Sequence, residues 1–506
     1  MGEPAGDALH RAFDPELFRR DGHAAVDLLA DYLRSALEER RLPVVPWAPP
    51  QELLEAWPAA FPERGGTPFA ELVERAIAGS THLHHPRFVG HQVTAPLPLA
   101  ALAELVGALL NNGMAVYEMG PAATAMEHAV VRFLCGALKL GGNNVMYGRA
   151  RDGVEGGAEG GAAGGPGGVL TSGGSLGNLT ALLAARQARA GFDSWREGVR
   201  AGPPLAFLAG ADVHYALARA AGIMGLGAEG LVRVPLDARR RLAPEALGPA
   251  LDAATRAGRK VLGVVASAGS TPVGAFDPLE PIADFCAREG LWLHVDGAHG
   301  AAAALSPKHR GLVAGIGRAD SVVWDAHKML LIPALVTAVL FRDARHSWEP
   351  FAEEAPYLFP DRNREAGAEW FDVAHRTLEC TKRMMAFELY AVLAAWGPAL
   401  LGDYVTRCFD LGRRFGELLE ETPDFELPVF PEANIVCFRY VPLGRDDDLD
   451  AVQERVRRRL LEDGSFYLVQ TRLDGAVHLR TTLIHPRTGE SDLVELLDAI
   501  RRAATS

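Results

Sequence analysis

The chain has 506 residues, a formal net charge of −13 and 48% apolar residues. That length exceeds what one compact core holds, so one large domain with smaller flanking segments is expected, and the charge argues against a general nucleic-acid or anionic-membrane surface. The five cysteines (Cys135, Cys286, Cys380, Cys408, Cys437) are scattered without a CxxC pair, which fits a reducing, cytoplasmic setting and not a disulfide framework or zinc site.

In chain order, helical periodicity runs over 16–41, with Leu17, Val26, Leu29, Tyr32, Leu33 and Leu37 among charges. The proline-rich stretch 42–50 must be extended, and a short helix is predicted over 71–78. These segments have too little apolar surface for a domain of their own and are expected to pack on another surface, such as a second subunit. No basic start followed by an apolar run opens the chain, so no signal peptide is read there, and no apolar run is long enough to span a bilayer. Residues 81–92 are dense in histidine (His82, His84, His85, His91). They lack an i, i+4 pair and a nearby carboxylate, so a loop or pocket wall is preferred to a metal site. Helices are predicted over 97–111 and 121–140. Residues 153–168 contain nine glycines and read as a surface insertion, since the Lys-Ser/Thr ending of a nucleotide loop is missing.

From Val169 onward, short apolar runs alternate with helical segments. Strands are predicted at 205–208, 231–234, 261–266, 291–295, 321–324 and 336–341. Helices at 178–190, 215–225, 244–257 and 278–289 separate most of them. Unbroken apolar strands between amphipathic helices imply a mainly parallel sheet buried on both faces. Ligands in such sheets sit at the carboxyl ends of strands. A helix over 371–396, another over 404–421, strands at 434–440, 466–470 and 477–480, and helices at 449–463 and 490–503 then describe a small α+β domain. The expected division is 1–90, 91–370 and 371–506.

Three stretches carry chemistry. Ser321-Val322-Val323-Trp324-Asp325-Ala326-His327-Lys328 is a buried strand running into a lysine, too apolar at its flanks for a solvated face. Leu293-His294-Val295-Asp296-Gly297-Ala298 ends a strand in an aspartate, whose burial demands a partner. Thr171-Ser172-Gly173-Gly174-Ser175 opens a helix, whose free amides bind phosphate. An imine-forming lysine, an acid for a pyridinium nitrogen and a phosphate cradle are the parts of a pyridoxal phosphate enzyme. Asp296 as a helix cap is the plainer alternative, and Ala298 suits a ring packed flat against it. His214 either stacks on the cofactor ring or is a loop histidine bonded to backbone. Thr271 either bonds the ring oxygen or substrate, or belongs to an ordinary polar turn.

In this order, the Gly-Gly-Ser turn, His214-Tyr215, His294-Val295-Asp296-Gly297-Ala298 and Asp325-Ala326-His327-Lys328 resemble the group II pyridoxal-phosphate-dependent amino-acid decarboxylases, over about 85–486. The resemblance implies a fold-type-I α/β architecture and an obligate homodimer with sites at the subunit interface. By the same resemblance Lys328 forms the imine with pyridoxal 5'-phosphate and Asp296 pairs with the ring nitrogen. His214 and Ala298 take the two ring faces. Gly174, Ser175 and His327 hold the phosphate, and Thr271 meets cofactor and substrate. Tyr357, in a loop after the lysine, is the implied proton donor to the substrate carbon, and Arg480 the implied partner of a substrate carboxylate. Two departures stand out: Cys380-Thr381-Lys382 replaces the family's Cys-Gly-Arg, and Asp325-Ala326 replaces its Asn/Asp-Pro.

His91-Gln92 and residues 111–118 look closer to the glutamate, cysteine-sulfinate and diaminobutyrate branch than to the aromatic one. A polar substrate is therefore expected, with an aromatic amino acid, transamination or aldol-type cleavage as alternatives.

Overall fold

The computed structural model describes residues 5–39, 42–57, 60–61, 65–142, 164–351, 369–444 and 448–505. Seven strands build its central sheet: β1 (Gly167–Thr171), β2 (Leu205–Gly210), β3 (Leu231–Val234), β4 (Lys260–Ser267), β5 (Trp292–Asp296), β6 (Ser321–Asp325) and β7 (Thr337–Phe341). Their order is β1-β7-β6-β5-β4-β2-β3. Every residue of β2, β5, β6 and β7 is buried. That is why these strands read as continuous apolar runs without alternation: helices cover both faces.

β7 runs against both its neighbours, β1 and β6, whereas the other pairs are parallel. Only residues 326–336 separate β6 from β7, too few for the crossover a parallel return requires. The glycine run does not extend as an insertion to residue 168. Gly167 and Gly168 pair with Phe341 and Leu340 inside β1, and a Cβ on Gly168 would stand 2.1 Å from the Val339 carbonyl oxygen. The rest of that run, up to residue 163, lies outside the described residues.

A second sheet is antiparallel, in the order β10-β11-β9-β8, from β8 (Phe425–Glu426), β9 (Ile435–Tyr440), β10 (Val469–Leu473) and β11 (Ala476–Thr482). The helices Leu449–Asp463 and Glu490–Thr505 bury Val456, Leu460, Leu493, Leu496 and Ile500 with its Phe438 and Leu479. The strand expected at 466–470 is displaced toward the C-terminus. Asp474 and Gly475, both at positive φ, form the two-residue turn that joins β10 to β11 and so set its register. Upstream, Val89 pairs its backbone with Tyr467 and Thr482, so the segment after the histidines joins this sheet.

The helix expected over 371–396 begins only at Ala386, and it continues to Glu420 across a break at Gly397. Residues 372–382 are instead bound to the edge of the central sheet. Arg376 Nη2 donates to the Gly168 carbonyl and Lys382 Nζ to the Leu170 carbonyl, both on β1. Lys382 is also paired with Glu127 at 2.6 Å, with side chains 1% and 5% exposed, and Glu127 accepts the Leu170 amide. Breaking such a pair leaves an uncompensated buried charge. Lys382→Met is therefore expected to lower unfolding stability by about 3–5 kcal/mol, read from the denaturant midpoint. A loss below about 1 kcal/mol, the level of an exposed pair, would contradict the fastening described here.

Candidate active site

Five strand ends converge on one cleft of about 280 Å³. Lys328 lies on the single helical turn Ala326–Met329 that leaves β6. Its Nζ is 3.0 Å from Asp325 Oδ2, and its side chain is 19% exposed where that of Asp325 is 2%. The Asp325 carboxylate also takes the Thr337 hydroxyl at 2.6 Å. His327 Nδ1 sits 3.0 Å from the Val336 carbonyl, which fastens the ring to the start of β7.

β1 delivers the glycine turn. Gly173 has φ 112° and precedes the helix Gly174–Arg189. At Gly174 a Cβ would stand 2.9 Å from Asp325 Oδ2, so a side chain there would press on the lysine's counter-ion. The first-turn amides of this helix have no intrahelical carbonyl to bond and face the cleft with the helix dipole behind them.

Asp296, at the end of β5, is 9% exposed. It accepts from Asn178 Nδ2 at 3.3 Å and from the Ala298 amide at 3.2 Å. Burial pushes its pKa up, and the positive charge of Lys328 and then the His214 ring pull it back. Asp296 therefore caps a local turn, and His299 opens the 3-10 helix Gly300–Leu305 that follows. His214 caps the helix Tyr215–Ile223 by accepting the Ala216 amide at Nδ1, 3.2 Å away, and it also lines the cleft. Its two sequence-based alternatives are thus compatible. Burial, first of all, lowers its pKa.

Gln92, Ser175, Thr271 and Ala298 complete the wall together with the groups above. Arg480 and His91 stand outside this lining. Arg480, on β11, donates from Nη1 to the Thr271 carbonyl at 2.8 Å and has a buried Nε without a partner among the described residues. His91 places its ring 5.7 Å from that of Tyr467. Tyr357 lies outside the described residues. The histidines at 82–85 are engaged with backbone: His82 Nδ1 with Pro43 and His84 Nε2 with Pro96 through their carbonyls, and His85 Nδ1 with the Arg87 amide. Sequence reading missed Asp325 as the lysine's partner and Asn178 as that of Asp296. The i, i+3 spacing of Asp325 and Lys328 was the available signal for the first.

The family model of the pyridoxal-dependent decarboxylase conserved domain matches residues 50–441. The chain belongs to this family. The decarboxylase is 30% identical to mouse acidic amino acid decarboxylase GADL1, over 90% of this chain and 81% of that one. It is also 30% identical to the L-2,4-diaminobutyrate decarboxylase of Rhizobium meliloti, over 88% and 83%. Its fold is similar to the crystal structure of mouse CSAD in apo form, with a TM-score of 0.84, 27% identity and 97% and 99% of the two chains covered. Its cofactor is pyridoxal phosphate, and the residues present fit it. A glycine cradle opens a helix, and the buried Asp296 carboxylate is bonded, among the described residues, by uncharged donors, which suits a cationic ring nitrogen.

Gly174→Ala is expected to weaken the affinity of the apoprotein for pyridoxal phosphate by about tenfold or more, the scale of an overpacked contact. Fluorescence titration checks it, and unchanged affinity would contradict the close packing of the cradle on Asp325.

Proposed function

We propose that this decarboxylase removes CO2 from a small polar L-amino acid of the 2,4-diaminobutyrate, glutamate, aspartate or cysteine-sulfinate type, with Lys328 and Asp296 as its central residues. The observation that carries the reading is Arg480, which bonds the carbonyl of the cleft residue Thr271 and keeps a buried Nε without a partner among the described residues, a cation suited to a carboxylate. The relatives named above for acidic amino acids and for diaminobutyrate support a polar substrate.

When bound, pyridoxal phosphate supplies an electron sink for the pair left at the substrate Cα as CO2 departs. The chain's own residues do the rest. Lys328 would bond the cofactor through Nζ and would be freed again as the amine leaves, with Asp325 Oδ2 3.0 Å away to receive it. Asp296 would hold the ring nitrogen and favour its protonated form. His214 and Ala298 would hold the ring, and Gly174, Ser175 and His327 the phosphate. Thr271 contacts cofactor and substrate. Gln92 and His91 belong to the substrate side. Arg480 meets an acidic side chain or carboxylate, a role supported by its unpartnered Nε. Tyr357 delivers the proton to Cα.

The dimer is part of the same reading. The helix Pro98–Leu110 exposes Leu102, Leu105, Val106, Leu109 and Leu110, and the helix Pro15–Arg34 exposes Phe18, Val26 and Leu29. Contiguous apolar faces of this kind mark a partner surface, and a second copy supplies it, with residues 1–90 as the exchanged segment, 91–370 as the cofactor domain and 371–506 as the small domain. All five cysteines are free, in keeping with a reducing cytoplasm. No helix among the described residues is long and apolar enough to cross a membrane.

Incubation of the holoenzyme with the common amino acids, diaminobutyrate and cysteine sulfinate, followed by mass spectrometry, is expected to give one amine lighter than its substrate by CO2. Turnover of aromatic substrates only would remove the polar reading, and keto acids would move the chain to transamination. Lys328→Ala is expected to abolish amine release above background. Sedimentation is expected to give twice the mass of one chain, and a fully active monomer would refute the shared site.

A further inference from the structure

The face of β5 turned toward the helix Gly174–Arg189 carries Trp292, His294 and Asp296 at a spacing of two, which puts all three on one side of the strand. Two residues from other elements join them. Trp292 Nε1 donates to Ser321 Oγ at 2.9 Å, and Ser321 Oγ lies 2.8 Å from His294 Nδ1. His294 Nε2 is 2.8 Å from Asn178 Oδ1, and Asn178 Nδ2 reaches Asp296 Oδ2. Trp292, His294 and Ser321 are 0% exposed and Asn178 is 2%. The β5–β6 register sets His294 opposite Ser321, so the sheet itself holds this pair.

The two ends fix the direction of every bond between them. An indole N–H only donates and a carboxylate only accepts. The carboxylate end decides: Asn178 turns its amide N–H to Asp296 and its Oδ1 to His294 Nε2, so Nδ1 is the ring's acceptor and takes the Ser321 hydroxyl hydrogen. The ring therefore carries its hydrogen on Nε2 and gives it to Asn178 Oδ1. The Asn178 amide N–H is left facing the carboxylate, and a flipped amide would set two oxygens against each other. Burial holds the His294 pKa down at about 3, so the ring stays neutral and keeps one donor and one acceptor.

We propose that Trp292, Ser321, His294 and Asn178 form a buried donor relay that fixes Asp296 as a carboxylate aimed into the cleft, with His294 and Asn178 as positioning residues for the cofactor's ring nitrogen. The inference rests on the reading of Asp296 as the partner of that nitrogen. Bonds in such a chain polarise one another, so loss of a distant member is felt at the carboxylate.

The test titrates full-length apoprotein with pyridoxal phosphate and with its 1-deaza analogue, in which a carbon replaces the ring nitrogen. Asn178→Leu and His294→Phe are expected to weaken pyridoxal phosphate by about tenfold or more, the scale of a hydrogen bond to a charged group, with little change for the deaza compound. His294→Gln, which can restore a donor toward Asn178, is expected to recover most of the difference. Equal weakening of both compounds, or of neither, in the two relay variants would overturn the relay. Asp296→Ala separates the two claims. If it also binds both compounds as the native protein does, the role of Asp296 fails. If it alone loses the preference for the ring nitrogen, Asp296 stands and the relay fails. Thermal melting identifies a variant that does not fold, and Ser321→Ala, which deletes one hydroxyl, then tests the same ratio of affinities.

Discussion

Strand polarity is the constraint on which the rest depends. In a parallel array all carboxyl ends face the same way, so groups far apart in sequence arrive at one edge without any contact between their own segments. Ser172 to Ser175 leave β1, Asp296 ends β5 and Lys328 leaves β6, and all reach one cleft. The helix that follows β1 adds its amino end to the same edge. Cradle, acid and lysine are thus consequences of topology before they are consequences of side-chain choice.

The cost of this arrangement is charge in a low-dielectric interior, and the chain meets it in three ways. Asp325 is matched by Lys328 and a threonine hydroxyl. Glu127 is matched by Lys382 and a backbone amide. Among the described residues Asp296 has uncharged hydrogen-bond donors, and burial raises its pKa. A structural charge is best fully matched at short range, and a functional one must keep an opening for its partner. By that criterion Asp296 differs from Glu127 although both are buried.

The central sheet was largely legible because each buried strand is a run of apolar residues between helical periods, and the three chemical stretches each end such a run. Local competition explains the misses. Residues 371–385 have helical periodicity, but their Arg376 and Lys382 bond the carbonyls of β1 and hold the backbone off helix. Gly167 and Gly168 looked like the end of a low-complexity run, because nothing local reveals that β7 will pair with them. The Asp474-Gly475 turn was readable and was passed over. Asn178 was not readable, since its partner is 118 residues away in sequence. The alternation of Trp292, His294 and Asp296 along β5 did hold that information, but the period was masked by strands buried on both faces.

The antiparallel strand β7 sits between β1 and β6. Adjacent strands lie about 4.8 Å apart, so the backbones of β1 and β6 are kept roughly 10 Å apart across the sheet, and the side chains of Asp325 and Lys328 span that gap toward Gly174. The inserted strand is in effect a backbone ruler. It sets the distance that the Asp325 and Lys328 side chains must bridge to meet the glycine turn, and because hydrogen-bond spacing is common to all sheets, no single side-chain substitution can recalibrate it.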